Sequence, residues 1–273
     1  MSNKKGILGF LYGTAVGRVI LKPLTAVWLS KLCGAFLDSR LSKPLIKGFI
    51  KSNGIDLNDY ADQTFHCFND CFCRKIKPEL RPIDNAPDHL IAPCDGSLSA
   101  YKISGDTVLP IKQSHYTVAE LLGNNPIYKE FNNGICLVFR LAVDNYHRYC
   151  YFDSGSKGDN TFIKGKLHTV RPIALGTYPV FKQNCREYTV IESNNFGRAI
   201  QIEVGAMLVG KIKNHHSTHT FTRGEEKGTF LYGGSTIILL LKNGAATVDE
   251  KYFTATTGGN ETPVKMGECI GKK

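Results

Sequence analysis

The sequence predicts an α+β fold, with amphipathic N-terminal helices followed by a largely antiparallel β body. Three observations predict it. The first 54 residues carry helical periodicity and almost no acid. From residue 88 onward, short runs rich in β-branched and aromatic residues are punctuated by Gly, Asn, Asp and Pro. No long helical stretches separate those runs, which argues against the strand–helix alternation of a doubly wound parallel sheet. At 273 residues, with 42% hydrophobic and 21% charged side chains, the chain can bury a core as one large domain or as one domain with an appendage. A mean hydropathy of −0.17 excludes a polytopic membrane protein.

The net charge of +10 is unevenly placed. Residues 1–54 hold nine basic side chains and one acid, Asp38, so +8 of the total lies in the first fifth of the chain. A nearly neutral body with a basic, apolar head points to an anionic surface. Nucleic acid is not indicated, because the Lys and Arg residues of the body are not clustered among aromatics. Residues 7–29 are apolar but interrupted, and the uncharged stretches 6–17 and 23–30 fall short of the roughly 18–20 residues that cross a bilayer. Arg18, Lys22 and Thr25 form a narrow polar stripe at helical spacing. Residues 37–51 repeat the pattern, with Arg40, Lys43, Lys47 and Lys51 on one face and Leu37, Leu41, Leu45 and Phe49 on another. Pro23 and Pro44 are expected to break or kink these helices. This is the pattern of helices lying in a membrane interface. The competing reading is a pair of core-packing helices with solvated basic faces. A secretory signal is disfavoured because no small-residue cleavage site follows, whereas a mitochondrial transit peptide would share the basic, acid-poor character. The chain is therefore divided into a membrane-contacting segment, 1–54, and a body, 55–273.

The nine cysteines are scattered, and without a secretory signal they are expected to be reduced thiols. His66, Cys67, Cys71 and Cys73 invite a metal reading, but Cys67, Phe68, Cys71 and Phe72 read as one apolar helical face. His215, His216 and His219 read as a polar loop, and no metal is expected. In the body, helices are expected over 60–75 and 116–122. Strands are expected over 135–141, 146–152, 186–193, 198–204, 207–213 and 236–241.

Three places could carry chemistry. Asp95 precedes Gly96 in a tight turn within APCDGSLSAY, 92–101. His147 and Arg148 sit in an apolar, aromatic stretch, DNYHRYCYFDSG, 144–155. Gly233-Gly234-Ser235-Thr236 leads into a fully apolar strand at 236–241. Each alone has an ordinary structural explanation.

Together they carry a resemblance to the phosphatidylserine decarboxylases, a family of self-processing proenzymes, over about residues 60–270. The resembling segments, in order, are FNDCFCRKIKPELRPID, PCDGSLSAY, IKQSHYTVAELLG, LAVDNYHRYCYFDSG, NCREYTVIES…FGRAIQIEVGAMLVGKI, KGTFLYGGST and ETPVKMGECIG. The basic, apolar head is similar to that family's membrane-contacting helices. The resemblance implies cleavage between Gly234 and Ser235, giving subunits 1–234 and 235–273, with Ser235 converted to a covalent pyruvoyl group and no metal. It implies a lyase that forms a Schiff base with phosphatidylserine and releases CO2 and phosphatidylethanolamine, in phospholipid biosynthesis. Relatives acting on a soluble amino acid such as tryptophan offer an alternative, as does a non-processing membrane-binding homologue. A homodimer is also implied. The expected location is the surface of a bacterial cell membrane, on its cytoplasmic face, with the mitochondrial inner membrane as the alternative.

The resemblance implies that Asp95 serves self-cleavage, while His147 is the expected proton donor to the substrate carbon, because imidazole titrates near neutrality. Arg148 either is structural or holds a substrate anion. One departure matters: many members read Y-H-R-x-H, and here Cys150 stands at the second histidine. Either Cys150 acts with a lowered pKa, or His147 serves both steps, or Asp95 works with another partner, or cleavage is slow. The preferred reading gives both steps to His147.

Overall fold

A computed structural model describes residues 6–104, 108–111, 114–169, 174, 178, 180–206, 211–232 and 235–273. The head comprises α1 (Ile7–Gly13), α2 (Ala15–Leu24), α3 (Val27–Leu37), a 3-10 turn at Arg40–Ser42 and α4 (Leu45–Asn53). α1 and α2 meet at a 104° bend. Thr14 caps α2 by accepting from the Gly17 amide. Gly17 is required by the bend itself: a Cβ there would sit 2.1 Å from the Phe10 carbonyl oxygen. α2 ends one residue after Pro23, and Pro44 is the N-cap of α4, so both prolines sit at helix boundaries, in keeping with the expected breaks.

Then follow α5 (Phe68–Phe72), β1 (His89–Ile91), β2 (Gly96–Lys102), β3 (Val108–Ile111), β4 (Ser114–Thr117) and α6 (Val118–Leu121). Next come β5 (Ile135–Leu141), β6 (Arg148–Cys150), β7 (Gly155–Ile163), α7 (Val180–Gln183), β8 (Arg186–Ser193) and β9 (Gly197–Val204). The chain continues with β10 (Ile212–Asn214), β11 (His219–Phe221), β12 (Glu226–Phe230), β13 (Ser235–Leu241), β14 (Thr247–Val248), α8 (Glu250–Thr257), β15 (Thr262–Val264) and β16 (Cys269–Lys272).

Eight of these strands form one antiparallel sheet in the order β11-β7-β8-β9-β13-β5-β2-β15. Smaller sheets, β10-β12-β6 and β1-β16-β14, accompany it. Near the centre, β13 is buried at every position. Ile237, Leu239 and Leu241 face a core shared with Phe139, Tyr149 and Cys150, while Ile238 and Leu240 face a second core on the opposite side. Burial of both faces explains the continuous apolar run, which lacks the alternation of a half-exposed strand. The sequence thus gave the α+β class correctly.

Two elements differ from expectation. The helix expected over 60–75 shrinks to Phe68–Phe72, because its flanks pair with each other: the Ala61 amide donates to the Lys75 carbonyl, and Lys77 to Asp59. The strand expected over 146–152 is confined to Arg148–Cys150, after which Tyr151 bonds with Glu225 and Gly224 in a loop. Of the strand expected over 207–213, residues 207–210 lie outside the described residues, and β10 begins at Ile212.

The head divides its faces. Leu11, Tyr12 and Leu21 enter the second core, and the Thr25 carbonyl accepts from the Leu167 amide, fastening the head to the body. Thr25, placed on the polar stripe by its spacing, is buried. Gly17→Val should lower stability by about 1–3 kcal/mol, the usual cost of overpacking. Limited trypsinolysis should then cut after Arg18 faster than in the wild type.

Candidate active site

Strand register builds the site. Ser235 is opposite Leu141 on β5, and Arg140 is opposite Ser97 on β2. The start of β13, the end of β5 and the start of β2 therefore meet at one end of the sheet. The end of β5 leads through a tight turn to His147, and Asp95 immediately precedes β2. Gly96 permits this approach, since a Cβ there would lie 2.9 Å from the Arg140 carbonyl oxygen.

Each side chain is held differently. The His147 ring is buried, with Nδ1 2.9 Å from the Asn145 carbonyl oxygen. A carbonyl only accepts, so Nδ1 carries a proton directed at Asn145. Phe72 packs 4.1 Å from the imidazole, centroid to centroid, and the His147 backbone carbonyl accepts from the Phe230 amide and the Thr229 hydroxyl. The Asp95 carboxylate accepts two bonds from Arg81, 2.7 Å from Nε and 2.5 Å from Nη2, and a third from the Met266 amide at 2.9 Å. Asp95 is thus an oriented anion paired with a guanidinium.

Ser235 is fully buried, and its Oγ has no hydrogen-bond partner among the described residues. A buried hydroxyl left unsatisfied costs roughly 1–3 kcal/mol, so its presence invites a functional explanation. Gly233 and Gly234, the other members of the expected cleavage segment, lie outside the described residues. Cys150 is buried on β6, and burial pushes its thiol up to about 12. Arg148 donates from Nε to the Cys73 carbonyl and from Nη1 to Glu226, which ties α5 to β6 and β12.

Sequence reasoning missed the side chains that join the head to this site. Asn69 donates to Asp38 at 2.7 Å and accepts from the Tyr232 amide at 3.1 Å, three residues before Ser235. Phe49, Phe68, Phe72 and Tyr232 form an edge-to-face cluster that runs from α4 to the imidazole of His147. Asn69 left one signal, a polar residue next to Asp70 in a short helix whose other residues are Phe68, Cys71 and Phe72. Arg81 and Tyr232 left none, because their roles depend on partners remote in sequence.

The candidate metal clusters take other forms. Cys67 and Cys71 are buried as the apolar-face reading expects, and the Cys73 thiol donates to the Phe230 carbonyl. His216 and His219 do come together with Glu225: the imidazoles stack at 3.7 Å, and His219 Nε2 is 2.6 Å from the Glu225 carboxylate. Nearly parallel rings direct their lone pairs along separate planes, so this arrangement suits stacking and hydrogen bonding better than shared ligation.

Strand order thus sets the buried Ser235 at the end of a two-sided antiparallel sheet where β5 runs on towards His147 and β2 follows Asp95, within an α+β protein. The family model described as phosphatidylserine decarboxylase matches residues 68–272. Phosphatidylserine decarboxylase proenzyme 2 of Clostridium acetobutylicum is 46% identical over 270 residues, covering 98% of this chain and 92% of that protein. The proenzymes of Clostridium botulinum and Ruminiclostridium cellulolyticum are each 39% identical, over 272 and 271 residues, covering 97% of this chain and 92% and 90% of the relatives. The chain belongs to the phosphatidylserine decarboxylase family.

The thiol of Cys150 has a direct check. Iodoacetamide at pH 8 should leave Cys150 unmodified in the native protein and label it after unfolding, as read by peptide mass. The fold holds this proton more tightly than the unfolded chain does. The group therefore favours the fold below about pH 9 and loses that contribution as pH rises towards about 12.

Proposed function

We propose that this protein decarboxylates phosphatidylserine to phosphatidylethanolamine at a membrane surface, after cutting itself between Gly234 and Ser235. The observation that carries the reading is the fully buried Ser235, its hydroxyl without a partner among the described residues, at the sheet end shared by His147 and Asp95. Family membership supplies the reaction class.

In self-cleavage, the Ser235 hydroxyl adds to the Gly234 carbonyl carbon while Nε2 of His147 takes its proton. The peptide C–N bond breaks as the ester forms, and the proton passes to the new amine. Elimination across Cα–Cβ of residue 235 releases the Gly234 carboxylate. The resulting dehydroalanine hydrolyses with loss of ammonia, leaving a pyruvoyl group at the head of the 39-residue segment 235–273. Its site fits: the position is dry, its side chain has no competing hydrogen bond among the described residues, and β13 is held by β5 and β9 whether or not the chain before it is intact. Once formed, the group supplies an electron sink for the electrons left by departing CO2. His147, kept as the Nδ1–H tautomer by Asn145, is placed to return a proton from Nε2 to the former α-carbon. Asp95 acts by orientation, with its charge balanced by Arg81. Arg148, committed to Cys73 and Glu226, is a structural residue in this reading.

The head provides the membrane contact. Among the described residues no single helix is long and apolar enough to cross a bilayer, and α1 and α2 reach the required length only as the bent pair. Their apolar side chains are nevertheless largely exposed: Ile7, Val16, Val19, Trp28, Leu32 and Leu41 are 63–81% accessible. Ten of the thirteen exposed large hydrophobics lie before residue 46, flanked by exposed Arg18, Lys22, Lys31 and Lys43. A concentrated apolar face rimmed by cations suits an anionic lipid surface and gives a lipid substrate the advantage over a soluble amino acid.

Intact mass of the purified protein should show two chains divided before residue 235. Ser235→Ala should remain a single, inactive chain. His147→Ala should lose cleavage, whereas Cys150→Ala should still cut, since a neutral buried thiol is no base. A persistent uncut wild type would refute the reading. Trp28 is the single tryptophan of the chain. Its emission should shift to the blue with anionic vesicles, and the shift should weaken with added salt.

A further inference from the structure

A cavity of about 600 Å³ lies between α3 and the body. One wall is the side of α3 that carries Val27, Gly34 and Leu37, and the facing wall includes Phe162 and Leu167. Leu231 and Tyr232 close the side nearest the expected cleavage segment. This interior is apolar, but its lining holds three lysines from three separate elements: Lys31 on α3, Lys164 just after β7 and Lys211 just before β10. One acid, Asp38, stands against them, 3.9 Å from the Lys211 ammonium and also engaged by Asn69. Ser30 lines the same cavity. It is only 5% exposed, and its Oγ has no hydrogen-bond partner among the described residues.

Resting on the function proposed above, we propose that this cavity seats the glycerophosphate portion of the lipid substrate, with Lys31, Lys164 and Lys211 binding the phosphodiester. Three observations converge on a phospholipid. Apolar walls accept the glycerol backbone and the first acyl methylenes, which a free amino acid lacks. Three flexible ammonium groups against one carboxylate leave an excess of positive charge suited to a phosphodiester. The Ser30 hydroxyl, without a partner among the described residues, offers a donor to a ligand in the cavity, as to a glycerol ester carbonyl.

Position supports the same assignment. Trp28, Leu32 and Phe36 recur every fourth residue along the exposed side of α3, while Lys31 and Ala35, on the neighbouring strip, line the cavity. A lipid lying beside the exposed strip would enter past Lys31. Tyr232, on the opposite wall, is three residues from Ser235, at most about 10 Å of extended chain. The serine amine of the headgroup is two carbons from a phosphate oxygen, so a phosphodiester anchored here leaves the amine directed along the chain towards β13.

The test uses the processed full-length protein and dihexanoyl phosphatidylserine below its micelle concentration, so that membrane recruitment does not enter. Replacing the three exposed lysines together (K31Q, K164Q and K211Q) should raise KM by about tenfold or more, the equivalent of losing one good charge-assisted contact, with kcat within about twofold. The arginine triple variant should recover most of the loss. O-hexylserine, which keeps the amine and carboxylate but has no phosphate, should be turned over equally by wild type and the glutamine variant. Inorganic phosphate should compete only at concentrations far above the lipid KM; equal potency would assign the cavity to a free anion and overturn the proposal. An unchanged KM for the lipid, or an equal loss with O-hexylserine, would overturn it as well. The failure of the underlying function looks different, because there the correctly cut wild type would release no CO2 from the lipid at all.

Discussion

Burial of β13 on both faces is the constraint on which the rest depends. A central strand bonded to β9 and β5, with a hydrophobic layer on each side, has no position that faces water. Whatever residue begins it is dry, and a serine there keeps a hydroxyl that solvent cannot satisfy. The same register sets which strand ends lie beside it. Leu141 opposite Ser235 ends the strand that leads to His147, and the neighbouring β2 begins just after Asp95. Seven paired positions along β5 and six along β9 also hold β13 after a break in the chain before Ser235. An internal cut therefore need not release the small fragment.

The strands were readable because their signals are local. ICLVFRL, REYTVIES and the run to Leu241 coincide with β5, β8 and β13 nearly residue for residue, and both prolines of the head lie at helix boundaries. The failure at 60–75 has a physical cause. Its periodicity was real, since Phe68, Cys71 and Phe72 are all buried, but Asp59 and Ala61 bond to Lys77 and Lys75 and so limit the helix to one turn and a fraction. Site residues divide in the same way. Ser235, His147 and Asp95 sit in conspicuous local patterns. Asn69, Arg81 and Tyr232 owe their importance to contacts that bridge from 14 to 163 positions of sequence, which no local pattern reveals.

The head shows why its two readings were both reasonable. Tyr12 and Leu21 pack as core residues do, while Val16, Val19 and Trp28 stay exposed. One helix does both because its apolar surface is wider than the body can cover. The body-facing side also carries a polar connection, Asp38 to Asn69 to the Tyr232 amide, and an aromatic one, Phe49 through Phe68 and Phe72 to His147. Seating of the head and the surroundings of the His147 imidazole are thus mechanically joined.

That connection bears on the base proposed for self-cleavage, for which Cys150 was the competing candidate. A thiol held near 12 by burial is neutral at any physiological pH, and lowering it would need a nearby cation. The cation next along the strand, Arg148, is taken by Glu226 and the Cys73 carbonyl, and the one beside Asp95, Arg81, is taken by that carboxylate. Asp95 itself lies close enough to raise the thiol further. His147 has the opposite arrangement. Its Nδ1 proton is committed to the Asn145 carbonyl and its ring packs against Phe72, which fixes the direction of Nε2. In the function proposed above, one imidazole that takes a proton in one reaction and returns it in the other leaves the buried Cys150 on β6 only to pack.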